Sequence, residues 1–289
     1  MQISRFLLVI LMALTSCNSN KVIDIQGHRG CRGLLPENSL PAFKKAIELG
    51  VHTLEMDIAV TKDHKIIVSH EPFMSRTICK LPDGNHIPVE SDKQYNLYQM
   101  TFDSIKTFDC GTKAHPRFPD QELQSVYKPL LSEVFEMTKA INPSIKYNIE
   151  LKAKPEYDGI YTPNPKEFVA LVMNQLKTAD VFDRTNLQSF DLRILEEIKQ
   201  QDANMEVALL IDEGEAIVNK LSKLSYTPEI ISPYYKLLNA ENVTELQAEG
   251  FKVIPWTINE ISDMEQMILY GVDGIITDYP DRLIGLLGK

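Results

Sequence analysis

Eight short runs rich in β-branched and aliphatic residues punctuate the chain, at Val22–Gln26, Thr53–Ala59, Lys146–Leu151, Asn186–Ser189, Glu206–Ile211, Ile230–Ser232, Lys252–Trp256 and Gly274–Thr277. Amphipathic stretches of helical period separate them, and that alternation is the pattern of repeated βα units. Eight such units predict one closed α/β domain, a (β/α)8 TIM barrel. The intervening helices are expected at Leu40–Leu49, Leu130–Ile141, Pro165–Ala179, Leu192–Gln200, Glu213–Leu224, Ala240–Glu249 and Ser262–Tyr270. Pro165 suits a first helical turn, and Gly250 and Gly271 suit helix ends.

One interval breaks the rhythm. Residues 73–128 are rich in Pro, Asp, Asn and Tyr and hold no period, so they read as an insertion. Before it, the second strand runs on through Thr61 and Lys62, turns at Asp63-His64 and returns through Lys65 to Ser69 as a hairpin. Such a hairpin brings His70 back to the rim that the strand left. In barrels of this type the C-terminal strand ends form the active face.

A hydrophobic content of 44% and a charged content of 24% are those of a globular chain and exclude general disorder. The net charge of −10 leaves no basic surplus for neutralising a nucleic-acid backbone. At the N-terminus, residues 1–16 carry one cation, Arg5, and an apolar run from Phe6 to Leu14, which reads as an export signal. That run is about half of the ~20 residues needed to cross a bilayer. Leu14-Thr15-Ser16-Cys17 resembles the bacterial lipobox, which implies a lipidated Cys17, a tether over 17–21 and a barrel domain over 22–289. The protein is then an exported lipoprotein, periplasmic or on the cell surface; the plainer alternative is a cleaved signal with Cys17 incidental. Cys31, Cys79 and Cys110 show no CxxC spacing, and Cys79 with Cys110 is one possible disulfide.

The reactive residue types gather at strand ends. His28 and Arg29 follow the first strand; Glu55 and Asp57 lie two apart on the second and share a face; Glu150 and Lys152 repeat that spacing on the third. Three converging carboxylates repel one another unless a cation neutralises them. All-oxygen ligation favours Mg²⁺ or Ca²⁺ over Zn²⁺. Each residue also has an ordinary explanation: Glu55 pairs with Lys152, His28 is a structural histidine, and Asn38 or Ser39 caps the helix near Leu40. Glu37 and Asn38 either serve the metal site or that cap, and Asp278 either orients a ligand or caps the last helix. His52, His64, His86 and His115 are read as surface or loop histidines without chemistry. Phe190 and Trp256, at strand ends, are candidates for an apolar wall against substrate carbons.

The ordered segments HRGCRGLLPENSLPAF, LEMDIAVTKDHKIIVSHEP, NIELK, QSF, PWTIN and GVDGIITDYP resemble those of glycerophosphodiester phosphodiesterases across nearly the whole mature chain. Carried over position by position, the resemblance implies Glu55, Asp57 and Glu150 as metal ligands and His28 and His70 as the acid–base pair. It also implies Arg29 and Lys152 as phosphate ligands. GTKAHPRFPDQ, beginning at Gly111, resembles the insertion of the periplasmic, calcium-dependent branch, which puts Ca²⁺ first and Mg²⁺ second. The implied reaction is hydrolysis of a small glycerophosphodiester to glycerol 3-phosphate and an alcohol. Where that family usually has Asp-Gly at the hairpin tip, this chain has Asp63-His64, so the turn type is open. Other readings of the same site are a lysophospholipase D, a teichoic-acid-type phosphodiesterase and a non-catalytic phosphodiester-binding lipoprotein. A glycoside hydrolase would pair Glu55 with Glu150, but has no use for two histidines beside Arg29 and Lys152.

Overall fold

Hydrogen-bonded ladders join nine strands in a computed structural model that describes residues 22–288. The export segment, Cys17 and its tether lie outside the described residues. The strands are β1 (Asp24–Gly27), β2 (Thr53–Val60), β3 (Ile66–Val68), β4 (Lys146–Leu151), β5 (Thr185–Ser189), β6 (Glu206–Ile211), β7 (Ile230–Pro233), β8 (Lys252–Val253) and β9 (Gly274–Thr277). All but β3 run parallel in the order β8-β7-β6-β5-β4-β2-β1-β9. The two ends of that series meet, because Asp273 N–H donates to the Val253 carbonyl at 2.9 Å and Ile276 N–H to the Pro255 carbonyl at 3.1 Å. The sheet therefore closes as the predicted (β/α)8 barrel. The strand expected over Lys252–Trp256 is regular only to Val253, since Pro255 has no N–H to give a ladder.

The α-helices of the described residues are α1 (Leu40–Leu49), α2 (Phe102–Ile105), α3 (Leu131–Ile141), α4 (Pro165–Thr178), α5 (Leu192–Gln201), α6 (Ile217–Leu221), α7 (Ala240–Ala248), α8 (Ile261–Tyr270) and α9 (Pro280–Leu286). Helix α6 is much shorter than the expected Glu213–Leu224. Asp212 N–H donates to Glu215 Oε2 at 2.9 Å and Glu215 N–H to the Asp212 carbonyl at 3.0 Å, so this Gly-containing segment closes a turn instead of a helical first turn.

Strand alternation divides the core. Leu54, Met56 and Ile58 of β2, with Tyr147, Ile149 and Leu151 of β4, point outward into the main core beneath the helices. The residues between them, Glu55, Asp57, Asn148 and Glu150, therefore face the barrel interior and are buried there. Ala208, Ile230, Ile254 and Ile276 form a small apolar cluster with Trp256.

The hairpin forms as expected: β3 runs antiparallel to β2, with Ile58 opposite Val68 and Val60 opposite Ile66. His64 occupies the left-handed region, φ 54°, the conformation a glycine at that turn position supplies at little cost. Residues 73–128 pack over this hairpin as a second core of Met74, Ile87, Leu97, Phe102, Ile105 and Phe108 against Ala59 and Ile67. A disulfide between Cys79 and Cys110 ties the insertion together, and Cys31 is a buried free thiol.

Candidate active site

The turn after β1 places three charged side chains. Gly27 must lack a side chain, because a Cβ there would lie 2.2 Å from the Gly30 carbonyl oxygen. Arg29 then takes φ 50°, an uncommon conformation for a non-glycine residue, and its N–H donates to Glu55 Oε2 at 2.9 Å. Its guanidinium lies between Glu37 Oε1, 2.9 Å from Nη1, and Asp57 Oδ2, 3.1 Å from Nε. Burial alone would lower the Arg29 pKa, but Glu37, Asp57 and Glu55 together raise it, so the cation is permanent.

His28 is buried against Asp278, whose Oδ1 sits 2.6 Å from Nδ1. A carboxylate at Nδ1 assigns the ring proton to that nitrogen and leaves Nε2 as the acceptor, 3.8 Å from Glu55 Oε2. Burial pushes the His28 pKa down to about 4; Asp278 opposes this and Arg32 adds to it. Asp278 also accepts from Arg32 Nε at 2.8 Å, Arg32 Nη2 at 3.0 Å and Asn259 Nδ2 at 2.8 Å. Although burial works against ionisation, His28 and Arg32 hold this carboxyl well below the usual range.

Glu55, Asp57 and Glu150 each offer a carboxylate oxygen within 4.8 Å of the others. Gln188 Nε2 donates to Glu55 at 3.0 Å and Asn38 Nδ2 to Asp57 at 2.9 Å, fixing both carboxylates from outside the trio. Lys152 Nζ lies 2.8 Å from Glu150 Oε1 and 3.7 Å from Asp57 Oδ1, so its ion pairs are with these two and not with Glu55. Burial first, then the Asp57 charge, raises Glu55 well above the usual carboxyl range, while Arg29, His70 and Lys152 outweigh burial and hold Asp57 low. Asp57 Oδ1 is fully buried with no hydrogen-bond partner. An unsatisfied carboxylate oxygen within an all-oxygen trio fits a hard divalent cation, which would supply the missing interaction.

His70 reaches the same place from β3. Ser69 N–H donates to the Asp57 carbonyl at 2.8 Å, and Glu71 Oε1 lies 2.8 Å from His70 Nδ1. Burial, Arg29 and Lys152 all lower the His70 pKa. His28, Arg29, Glu55, His70, Glu150, Lys152, Phe190 and Trp256 all line one cavity of about 530 Å³, and Asp57 is buried beside Glu55 and Glu150. Phe190 and Trp256 meet edge to face at 5.5 Å, and Trp256 Nε1 donates to the Ser232 carbonyl at 3.0 Å, which fixes that wall. A larger space of about 1030 Å³ continues outward from His70, Glu150, Lys152 and Phe190 towards Tyr157, Arg193 and Asp212.

The geometry thus brings together all nine residues singled out at the sequence level, and adds others. Ser39 accepts from Ala42 N–H as the α1 cap, which leaves Asn38, φ 53°, to the site. Glu37 clamps Arg29, and Gln188 braces Glu55. His115, read as a surface or loop histidine, is in a loop but buried, 4.7 Å from the Phe118 ring; a Pro-rich loop gave no sign of burial. Asp278 was ambiguous because a residue just after a strand and two before a proline looks like a cap.

A (β/α)8 barrel whose strand ends carry an acidic trio, two histidines and two cations has the constitution of a metal-dependent phosphoryl-transfer hydrolase. Residues 28–282 match the model of the Glycerophosphoryl diester phosphodiesterase family, and the chain belongs to that family. It is 30% identical to a glycerophosphodiester phosphodiesterase of Caldanaerobacter subterraneus subsp. tengcongensis over 91% of this chain and 96% of that one. A solved structure from Silicibacter pomeroyi, named "Putative glycerophosphoryl diester phosphodiesterase", superposes with a TM-score of 0.84 at 28% identity, covering 92% of this chain and 93% of that one. An Oleispira antarctica phosphodiesterase solved with the product sn-glycerol-3-phosphate shares the fold, with a TM-score of 0.73 at 21% identity over 92% and 97% of the two chains.

Proposed function

We propose that this member of the glycerophosphodiester phosphodiesterase family hydrolyses glycerophosphodiesters to glycerol 3-phosphate and an alcohol. In this reading Glu55, Asp57 and Glu150 hold a divalent cation, Ca²⁺ in first place and Mg²⁺ in second. The observation that carries the proposal is the common cavity: two histidines line it beside a buried acidic trio whose Asp57 Oδ1 lacks a hydrogen-bond partner.

When bound, the cation would polarise the phosphoryl group and offset the negative charge gained in the transition state. Arg29 and Lys152 add fixed positive charge at the same group, with no reorganisation needed during reaction. His28 has a free Nε2 and acts as the base that takes a proton from the attacking hydroxyl. His70, which also lines the outer space, gives a proton to the departing alkoxide. Phe190 and Trp256 enclose the carbons of the retained glycerol.

The attacking group is the substrate's own glycerol 2-hydroxyl, giving a cyclic phosphate that water then opens. The supporting argument is that the neighbouring hydroxyl is already positioned, which reduces the entropic cost of attack. A 2-deoxyglycerol substrate cleaved at an unchanged rate would exclude that route. We propose further that Cys17 carries a lipid anchor and holds the enzyme at an exported membrane face; release of the full-length protein into the soluble fraction on Cys17→Ser would support this, and retention on the membrane would count against it.

The direct test is release of glycerol 3-phosphate from glycerophosphocholine and glycerophosphoethanolamine, with and without chelator. Turnover that EDTA abolishes and Ca²⁺ or Mg²⁺ restores is expected. Activity intact in EDTA would overturn the metal assignment, and near-wild-type turnover by folded His28→Ala or His70→Ala would remove that histidine from the reaction.

A further inference from the structure

Four cations line the catalytic cavity, and they differ in what they have to spare. Arg29 is paired with Glu37 and Asp57, Arg32 with Asp278, and Lys152 with Glu150. Arg117, which comes from the insertion, lines the same cavity and has no ion pair among the described residues. It is also exposed, so its charge meets a ligand before those deeper in the barrel do.

The insertion holds this arginine in place. Phe118, buried, lies against two guanidiniums, Arg117 at 5.5 Å and Arg32 at 5.0 Å from the ring centroid. Stacking of this kind orients a guanidinium without neutralising it. Arg117 N–H donates to His115 Nδ1 at 3.1 Å, fixing the backbone that carries it. The segment is in turn bound to the turn after β1, because Gln121 Nε2 donates to the Arg32 carbonyl at 2.6 Å and the Leu35 carbonyl at 3.1 Å. A net charge of −10 repels an anionic phosphodiester at long range, and an unpaired cation at the cavity opposes that repulsion where it matters.

We infer that Arg117 is a substrate-binding residue, supplied by the insertion, that captures the phosphoryl anion of the glycerophosphodiester at the mouth of the cavity. Its contribution is to binding and access, shared by substrate and transition state, so it acts on KM and not on the chemical step. The inference rests on the phosphodiesterase reading above.

The test compares wild type with Arg117→Ala, Arg117→Lys and Arg117→Gln on glycerophosphocholine, and measures glycerol 3-phosphate binding by calorimetry. Arg117→Ala and Arg117→Gln should raise KM and weaken glycerol 3-phosphate binding roughly tenfold with kcat unchanged, since a charge-assisted hydrogen bond is lost. Arg117→Lys should recover part of the loss, and the fall of kcat/KM with added salt should be shallower in Arg117→Ala than in wild type. Unchanged kcat/KM and unchanged product binding in Arg117→Ala would overturn the inference, as would a fall in kcat with KM held. Absence of turnover by wild type itself would instead defeat the phosphodiesterase reading.

Discussion

Asp278 Oδ1 stands 2.6 Å from His28 Nδ1, joining side chains 250 residues apart at the seam where β9 meets β1. The contact selects the His28 tautomer and turns Nε2 towards the cavity, so His28 depends on Asp278 for its direction as well as its proton.

Asp278→Asn is therefore expected to lower kcat by roughly 10²- to 10⁴-fold, the range that a misdirected general base costs. It also removes the carboxylate charge that pairs with Arg32, so folding is to be checked by thermal melting in parallel. Asn259→Ala, which removes one hydrogen bond from Asp278 and leaves the carboxylate in place, should have a much smaller effect. If folded Asp278→Asn keeps kcat within tenfold of wild type, the orientation argument fails.

Proton competition gives the second expectation. Burial raises the Glu150 carboxyl to about 7, with Lys152 opposing and the Asp57 charge adding to the rise. Below that pH a proton occupies the carboxyl that a cation needs; above it the carboxylate is free. Apparent affinity for Ca²⁺ or Mg²⁺ should fall as the pH drops below about 7, by up to tenfold per unit for each proton displaced, with proton release on binding. Calorimetric titration in buffers of different ionisation enthalpy, at about pH 6 and about pH 8, measures both quantities. Equal affinity at the two pH values would contradict the placement of Glu150 among the ligands.

The sequence made the barrel readable because its information is local and periodic. Leu54, Met56 and Ile58 alternate with Glu55 and Asp57, so one strand declares both its outer core face and its inner reactive face. The hairpin was equally legible from Asp63-His64 between two β-rich runs. Residues 73–128 were not, because their order comes from a disulfide, short turns and contacts with Ala59 and Ile67, none of which impose a period. The α6 boundary failed for a related reason: helical patterning says nothing about the side chain of Glu215 closing a turn on Asp212. At the site, residues sharing a strand were recognised, whereas the contacts of Asp278 with His28 and Arg32 require β1 and β9 to be adjacent, which only closure of the barrel reveals.

That same absence of period makes the insertion dependent on its cross-link. The Cys79–Cys110 disulfide spans a sequence separation of 31 residues, and a loop of that size corresponds to about 3–4 kcal/mol in the chain-entropy account. Paired Cys79→Ser and Cys110→Ser substitutions should open residues 73–128 to limited proteolysis at temperatures where the barrel remains folded. Cleavage sites distributed evenly over barrel and insertion would show instead that the two unfold together.

The hairpin tip supplies the most local expectation. His64 carries φ 54°, which costs a side-chain-bearing residue more than it costs glycine. Its compensation is an ion pair with Glu167, 3.1 Å away, on side chains 57% and 38% exposed. Exposed pairs of this kind contribute about 0–1 kcal/mol, less when the histidine is neutral. Relief of the left-handed strain should therefore match or exceed what the pair provides, offset in part by the greater freedom of glycine in the unfolded chain. His64→Gly is expected to leave stability unchanged or raise it by up to about 1 kcal/mol. Urea denaturation at neutral pH reads the difference directly, and a loss of more than about 1 kcal/mol would mean that the imidazole stabilises the turn by a contact stronger than an exposed ion pair.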